Sequence, residues 1–217
     1  MARFHTVFFD LDGTITDSKP GILKCIRRAL DKKGISYTES QLDIMVGPPF
    51  RVSMREILGV TDTAVIEDMI RLYRADYEVE GWRDCSVYPG IEELLARLSE
   101  NGMRLAVATS KPLRFTVMML DEMGLSKYFD FVGGAESDSS RDSKIEVIRY
   151  VMQNLGMTSP EGTLMVGDRL YDIDGARQAG MKSAGALWGY GTAEELKAHG
   201  ADYLFATPQE LGDFVLC

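Results

Sequence analysis

The stretch that decides the fold is Thr6-Val7-Phe8-Phe9-Asp10-Leu11-Asp12-Gly13-Thr14. It begins with a short, almost uninterrupted apolar run and then places two aspartates on either side of one leucine. A short continuous apolar run is typical of a strand that helices cover on both faces, as in a parallel sheet. The aspartates then follow the carboxyl end of a strand, which is where open α/β sheets bind their ligands. The stretch predicts a parallel α/β sheet with an acidic site at one edge.

Three later stretches repeat this pattern of an apolar run that ends in small or polar residues. They are residues 104–108, before Thr109, Ser110 and Lys111; 129–132, before Gly133 and Gly134; and 163–166, before Gly167 and Asp168. Helical patterns with proline or glycine at their ends separate them, over residues 91–101, 112–123 and 142–155. Thr192-x-x-Glu195 and Thr207-x-x-Glu210 predict capping boxes for two late helices. This alternation of strand and helix predicts a doubly wound, Rossmann-like parallel sheet.

Residues 17–84 lack this alternation. Apolar spacing predicts helices over residues 21–33, 39–46, 50–58 and 63–79, with glycine and proline turn signals between them. No strand pattern lies among them. We therefore expect an inserted α-helical cap domain over residues 17–84, with residues 1–16 and 85–217 forming the α/β core domain.

Composition limits the classes of partner. The 217 residues include 24 basic and 33 acidic side chains, for a net charge of −9. This balance disfavours nucleic-acid polymers and anionic membranes, because both need a positive surface. The three cysteines form no CxxC pair, which favours a reducing compartment. No apolar run has the length of a transmembrane helix. We expect a cytoplasmic monomer that acts on a small molecule.

Acidic and hydroxyl side chains recur at the ends of the predicted strands. They are Asp10 and Asp12, Thr109 and Ser110, and Asp168 and Asp172. Converging carboxylates repel one another unless a divalent cation lies among them, and a few carboxylates with retained waters suit Mg²⁺. One carboxylate there can act as a nucleophile and a second as general acid and base. A single aspartate after a strand is more often a helix N-cap, so the prediction depends on the whole set.

The motifs together resemble those of a known family. DLDGT at residues 10–14, ATSKP at 108–112, Lys144, and GDRLYD at 167–172 are similar, in order, to the four motifs of haloacid dehalogenase-like phosphatases. Within that family the chain resembles the phosphoglycolate-phosphatase-like branch. Residues 46–49, 108–112, 167–169 and 189–191 are most similar to its bacterial 5′-nucleotidase-like group. Tyr171 departs from the pattern, since many members of that group have histidine there.

The resemblance implies a role for each motif residue. Asp10 would form an aspartyl-phosphate, and Asp12 would protonate the leaving alcohol and then deprotonate water. Mg²⁺ would be bound by the Asp10 carboxylate, the Asp12 backbone carbonyl and Asp168. The phosphoryl group would be bound by Thr109, Lys144 and backbone N–H groups near Leu11 and Ser110. Gly13, Thr14 and Asp172 would support the site. Asp172 would either support the metal waters or orient Lys144. Gly13 allows a tight turn whose backbone N–H groups can face a phosphate oxygen.

The implied activity is Mg²⁺-dependent hydrolysis of a phosphomonoester, with nucleoside 5′-monophosphates as the expected substrates. Phosphoglycolate, a sugar phosphate, a phosphomutase reaction and a non-catalytic binding module remain alternatives. Asp12 argues against a dehalogenase, because the dehalogenases of the family lack this second acid. Residues expected to set substrate choice are Ser18, Lys19, Gly47, Pro48, Pro49 and Arg51.

Two further patterns have simpler interpretations. Residues 185–191 are glycine-rich but do not fit the dinucleotide-binding fingerprint, so we interpret them as a loop between the last strands. The basic residues of the first predicted cap helix are interpreted as a solvated face; they are Lys24, Arg27, Arg28, Lys32 and Lys33.

Overall fold

The computed structural model describes residues 4–46, 50–136, 141 and 143–217. The chain divides into two compact units, one formed by residues up to Asp17 together with Val87–Cys217, and the other by Ser18–Ser86. That the second unit serves as a cap stays a prediction. Within the described part of the chain, no helix combines the length and the apolar character needed to cross a lipid bilayer.

The first unit is built on a parallel sheet with the strand order β5-β4-β1-β6-β7-β8. The strands are β1 (Thr6–Phe9), β2 (Thr16–Asp17), β3 (Ser86–Val87), β4 (Arg104–Pro112), β5 (Phe131–Ala135), β6 (Thr163–Gly167), β7 (Lys182–Ala186) and β8 (Tyr203–Phe205). Strands β2 and β3 form a separate two-stranded pair. The jump from β1 to β4 and β6 is the crossover expected of a doubly wound sheet, so the predicted fold class is confirmed.

The helices alternate with the strands after residue 87. They are α1 (Lys19–Lys33), α2 (Glu39–Ile44), α3 (Phe50–Glu56), α4 (Thr63–Val79), α5 (Ile91–Glu100), α6 (Leu113–Glu122), α7 (Lys144–Asn154), α8 (Leu170–Ala179), α9 (Ala193–Ala198) and α10 (Pro208–Val215). Helix α7 begins at a capping box in which Ser143 and Glu146 each bond the other's backbone N–H. The cap fixes the start of α7 and therefore the position of Lys144, its first residue.

The core of the first unit lies between the sheet and helices α7 and α8. Phe8, Ala106 and Met165, on three neighbouring strands, pack with buried side chains from both helices. Every side chain of β1 is buried, which explains its unbroken apolar run. Register sets Phe9 opposite Val107 on β4 and Val166 on β6. Residues that follow these three strands therefore meet at one edge of the sheet.

The second unit is organised around helices α1 and α4. Their buried faces carry Leu23, Ile26 and Leu30 on α1, and Met69 and Ile70 on α4. The basic face of α1 is paired with acidic groups, and the pairs are Lys24 and Arg28 with Glu80, Arg27 with Glu39, Lys32 with Asp76 and Lys33 with Asp68. Most of these side chains are partly or largely exposed, so each pair adds little stability.

The structure differs from the sequence prediction at several element ends. Strand β4 continues through Thr109 to Pro112, and β5 begins at Phe131 instead of residue 129. Gly185 belongs to β7 and not to a loop, although residues 187–191 do form one. The capping boxes predicted at Thr192 and Thr207 are only half formed. Each threonine accepts the expected bond from the backbone, but the glutamate side chains bind elsewhere.

Candidate active site

Three carboxylates meet at the carboxyl edge of the sheet. Asp10 follows β1, Asp168 follows β6, and Asp172 lies in the first turn of α8. One oxygen from each lies within 4.8 Å of the others, and all three groups are largely or fully buried. Three buried carboxylates at this separation repel one another when ionised. Nearby cations would reduce that repulsion.

Lys144 provides one of these cations. Its ammonium nitrogen lies 2.8 Å from Oδ1 of Asp10 and 2.8 Å from Oδ1 of Asp172. It also donates to the backbone carbonyl of Ala108 over 3.0 Å. Burial favours the neutral amine, but the charges of Asp10 and Asp172 outweigh it and raise the pKa of Lys144 above its usual value. The side chain therefore remains charged throughout the neutral range.

Asp168 is held by the two loops on either side of it. The hydroxyl of Thr14 donates to Oδ1 over 3.2 Å, and the backbone N–H of Tyr190 donates to Oδ2 over 2.8 Å. Burial, with the charges of Asp172 and Asp10, raises the pKa of Asp168 well above its usual value, and these two bonds only partly oppose the rise. Asp168 is thus held by two neutral hydrogen-bond donors, and these do not offset its burial and the negative charges of Asp172 and Asp10.

Two glycines allow the loops to approach Asp168. Gly13 has a φ of 83°, which a side chain rarely permits. A Cβ on Gly189 would lie 2.2 Å from the Gly13 carbonyl oxygen and 2.3 Å from Cβ of Asp168. The Gly13 turn and the loop over residues 187–191 therefore pack against each other and against Asp168 only because both positions lack a side chain.

Asp172, like Asp168, is a fully buried carboxylate. Burial raises its pKa to about 6, with the positive charge of Lys144 opposing the rise and the negative charge of Asp10 adding to it. The backbone N–H of Arg169 donates to its Oδ2 over 3.1 Å. Its other oxygen faces Lys144. Asp172 therefore contacts Lys144 and also belongs to the acidic cluster, so its position is compatible with either of the two roles that the resemblance implies.

Asp12 points to a different partner. Its two carboxylate oxygens lie 3.0 and 2.9 Å from the ammonium nitrogen of Lys111. The backbone N–H of Lys111 in turn donates to the hydroxyl of Thr109 over 3.2 Å. Thr109 is buried at the end of the apolar part of β4, whereas Ser110 is exposed. The two aspartates of the DLDGT motif thus have separate cationic partners.

The donor set fits a divalent cation. When all four carboxylates (Asp10, Asp12, Asp168, Asp172) are ionised, the two ammonium groups (Lys111, Lys144) leave two negative charges unbalanced. Oδ1 of Asp10 and of Asp172 are buried, and neither accepts a well-aligned hydrogen bond from the described residues, although each lies near Lys144. Hard carboxylate oxygens without a full set of donors are suitable ligands for Mg²⁺. The residues present therefore match the cation that the sequence implied.

The residues expected to set substrate choice lie in the second unit. Ser18 is buried before α1, Lys19 pairs with Asp43 over 3.0 Å, and Arg51 pairs with Glu67 over 2.7 Å. Lys19, which directly follows Ser18, and Arg51 thus pair with different acidic residues. Gly47, Pro48 and Pro49 lie outside the described residues. Tyr171, the departure from the family pattern, is 38% exposed on α8.

A family comparison identifies the chain. The sequence model of the haloacid dehalogenase-like hydrolase family matches residues 7–186, which contain Asp10, Thr109, Lys144 and Asp168. The chain belongs to this family. The predicted membership is therefore confirmed.

Similar proteins within the haloacid dehalogenase-like hydrolases carry several names. A Pseudomonas aeruginosa protein named 5′-nucleotidase is 35% identical over 198 residues, which cover 91% of this chain and 89% of that one. The Mycobacterium tuberculosis protein named tyrosine-protein kinase PtkA is 42% identical over 189 residues, or 87% of this chain. This chain spans only 64% of that relative's length. A crystal structure of a predicted phosphatase from Clostridium acetobutylicum has a TM-score of 0.91 and 38% identity, with 98% of both chains covered.

The sequence analysis assigned no role in this hydrolase site to several of its side chains. They are Lys111, which binds Asp12; Trp188, whose indole N–H donates to the Thr14 carbonyl over 2.9 Å; Tyr190; and Glu195, which accepts from Arg169 and Leu170. The glycine pair around Tyr190 was the available signal, because closely spaced glycines mark a close backbone approach. Nothing in the local sequence indicates the distant partners of Lys111 and Glu195.

Proposed function

We propose that this hydrolase is a Mg²⁺-dependent phosphomonoesterase that forms a phosphoryl bond to Asp10. The observation that carries the proposal is that the two aspartates of the DLDGT motif contact different lysines. Asp10 lies in the acidic cluster beside Lys144, whereas Asp12 lies apart from it on Lys111. This separation supports a role for Asp10 as the nucleophile and for Asp12 as the group that transfers protons.

The reaction has two half-reactions. In the first, an oxygen of Asp10 forms a bond to phosphorus, the bond from phosphorus to the alcohol oxygen breaks, and Asp12 gives that oxygen a proton. In the second, Asp12 takes a proton from water, whose oxygen bonds to phosphorus as the Asp10–phosphorus bond breaks. Inorganic phosphate leaves, and both aspartates return to their starting states.

Phosphoryl transfer depends on positioning and charge neutralisation. Lys144 would hold a phosphoryl oxygen with its charged nitrogen, and the buried hydroxyl of Thr109 and the backbone near Ser110 would hold others. Asp10, the backbone carbonyl of Asp12 and Asp168 would hold Mg²⁺, supported by Asp172. When bound, the cation would neutralise charge on the transferring group and on the carboxylates.

Nucleoside 5′-monophosphates are the proposed substrates. The support is the resemblance of motifs such as Gly189-Tyr190-Gly191 and the Pseudomonas aeruginosa relative named 5′-nucleotidase. Phosphoglycolate and sugar phosphates are the alternatives within the same chemistry. We also propose that residues 17–84 act as a cap that sets this choice, and that the protein acts on small molecules as a cytoplasmic monomer.

A second candidate is phosphoryl transfer to tyrosine. It is favoured by the mycobacterial relative, which is named a tyrosine-protein kinase and is 42% identical over 87% of this chain. The same Asp10 could carry the phosphoryl group in either case, but the acceptor would be a phenol and the donor a nucleoside triphosphate. Incubation with ATP and a tyrosine peptide separates the two, because only a kinase yields phosphopeptide.

Phosphate release from a panel of esters tests the proposal. The panel contains AMP, UMP, phosphoglycolate and several sugar phosphates, each assayed with Mg²⁺ and with EDTA. We expect metal-dependent release with the highest kcat/KM for a nucleotide. Preference for phosphoglycolate would keep the chemistry and overturn the substrate assignment. A sugar phosphate that isomerises with little release of phosphate would indicate a mutase, and no reaction across the panel would contradict the proposal.

A further inference from the structure

Lys111 is a buried cation that the reaction described above does not use. Its side chain is only 4% exposed, and its nitrogen contacts both oxygens of Asp12, which is 24% exposed. A buried ammonium group is costly unless a counter-charge is close by. The contact to both oxygens fixes the direction of the carboxylate.

The backbone of β4 explains how Lys111 reaches Asp12. The pairing of β4 with β5 shifts register between Ala108 and Pro112, which marks an irregular stretch of strand. Such irregularities redirect side chains and are frequent beside active sites. Within this stretch the Thr109 hydroxyl accepts from the Lys111 backbone N–H over 3.2 Å, which fastens the lysine to the strand end.

The two lysines of the site contact different aspartates. Lys144 contacts Asp10 and Asp172, whereas Lys111 contacts Asp12, although Asp10 and Asp12 follow the same strand. A carboxylate that serves as acid and then as base must keep one orientation through both proton transfers. We infer that Lys111 is a positioning residue that holds the Asp12 carboxylate in that orientation.

This inference depends on the proposed function and makes a specific kinetic claim. In Lys111→Met, kcat for an alkyl phosphate should fall about 100-fold, the lower end of what general acid–base catalysis contributes. KM should remain within about threefold, because Lys111 acts through Asp12 and not on the substrate. With p-nitrophenyl phosphate, whose leaving group needs no proton, one equivalent of p-nitrophenol should be released in a burst before a slow steady state.

A double variant shows whether Lys111 acts through Asp12. Lys111→Met combined with Asp12→Asn should be no slower than Asp12→Asn alone, since the residue that Lys111 positions has already been lost. Lys127→Met, which removes a 61% exposed lysine of the same unit, is the matched control and should leave kcat unchanged. Lys111→Arg, which keeps the charge, should recover part of kcat. If Lys111→Met does not fold, Lys111→Gln replaces it.

Three results would overturn the inference. They are a raised KM with unchanged kcat, a double variant slower than Asp12→Asn by the full factor of the single change, and a crystal structure of folded Lys111→Gln with Asp12 in its original single orientation. Failure of the proposed function is distinguishable, because the wild-type protein would then release no phosphate from any ester. The crystallographic result decides the positioning role in that case too, and several orientations of Asp12 would support it.

Discussion

The ammonium nitrogen of Lys144 lies 2.8 Å from an oxygen of Asp10, deep enough that neither group is well solvated. The same nitrogen lies 2.8 Å from Asp172, so one cation serves two carboxylates from different elements. Because these charges raise the pKa of Lys144, its ammonium group is charged at neutral pH. The site is therefore built around a permanent positive charge that faces the proposed nucleophile.

Replacing Lys144 with methionine should reduce both activity and stability. Loss of a preorganised cation at the transferring group typically costs about 10²- to 10³-fold in kcat. Leaving Asp10 and Asp172 without it should lower the free energy of unfolding by about 3 kcal/mol. Steady-state kinetics and urea unfolding measure the two effects.

The matched control for that experiment is Lys182→Met. Lys182 pairs with Asp202 but is 58% exposed, so its loss should change stability by less than about 1 kcal/mol and leave kcat unaltered. Equal effects of the two substitutions would contradict the role assigned to Lys144.

Gly189→Ala should disturb the site through Asp168. The added methyl group would overlap the Gly13 carbonyl and Asp168, and such overpacking costs about 1–3 kcal/mol. Because Asp168 is a proposed metal ligand, the Mg²⁺ concentration needed for half-maximal activity should rise. Gly212→Ala, in the interior of α10 where the nearest neighbour is the flexible end of Leu94, should leave the Mg²⁺ requirement unchanged. An unchanged Mg²⁺ requirement in Gly189→Ala would contradict this account.

Asp172 predicts a pH dependence of stability in metal-free protein. The pKa of Asp172 is about 6 in the folded state against 3.8 for an unperturbed aspartate, so the folded state binds the proton more tightly than the unfolded state. The contribution of Asp172 to the free energy of unfolding therefore decreases as pH rises from about 4 to about 6, by at most about 3 kcal/mol. Above pH 6 the contribution of Asp172 to the free energy of unfolding no longer changes with pH.

Urea unfolding of wild type and Asp172→Asn in EDTA isolates this contribution. Between pH 4 and pH 7, wild type should lose stability relative to the variant, because asparagine does not titrate. If the difference in the free energy of unfolding between the two proteins stays constant across this range, Asp172 makes no pH-dependent contribution to stability.

The strongest parts of the fold were predictable because local sequence specifies them. The unbroken apolar run of β1 needs burial on both faces, and the glycine and proline signals around α5 mark its ends. Strands β2 and β3 were missed because two residues cannot show a periodicity. The sequence predicted too early an end for strand β4, because its last residues are polar and lie at the site instead of in the core.

The clustering of acidic residues at one edge of the sheet was predictable from the sequence, whereas their individual contacts were not. Asp10 and Asp168 meet because their parallel strands end at one edge of the sheet, and Asp172 joins them from the first turn of α8. The pairing of Lys111 with Asp12 joins residues 99 positions apart, and no local pattern encodes it. Glu195 was assigned to its own helix cap, yet in the structure it accepts hydrogen bonds from residues that begin α8. Tertiary packing decides such choices between equally good local partners.

The central claim is that Asp10 carries the phosphoryl group, and its most direct test is the mass of the acid-quenched enzyme. Wild type mixed with Mg²⁺ and p-nitrophenyl phosphate, quenched within one turnover and digested, should show one added phosphoryl group on the peptide that contains Asp10. Asp10→Asn, which preserves the size and shape of the side chain, should fold normally, show no such adduct and release no phosphate. Phosphate release at the wild-type rate from folded Asp10→Asn, or an adduct on another residue, would contradict the account.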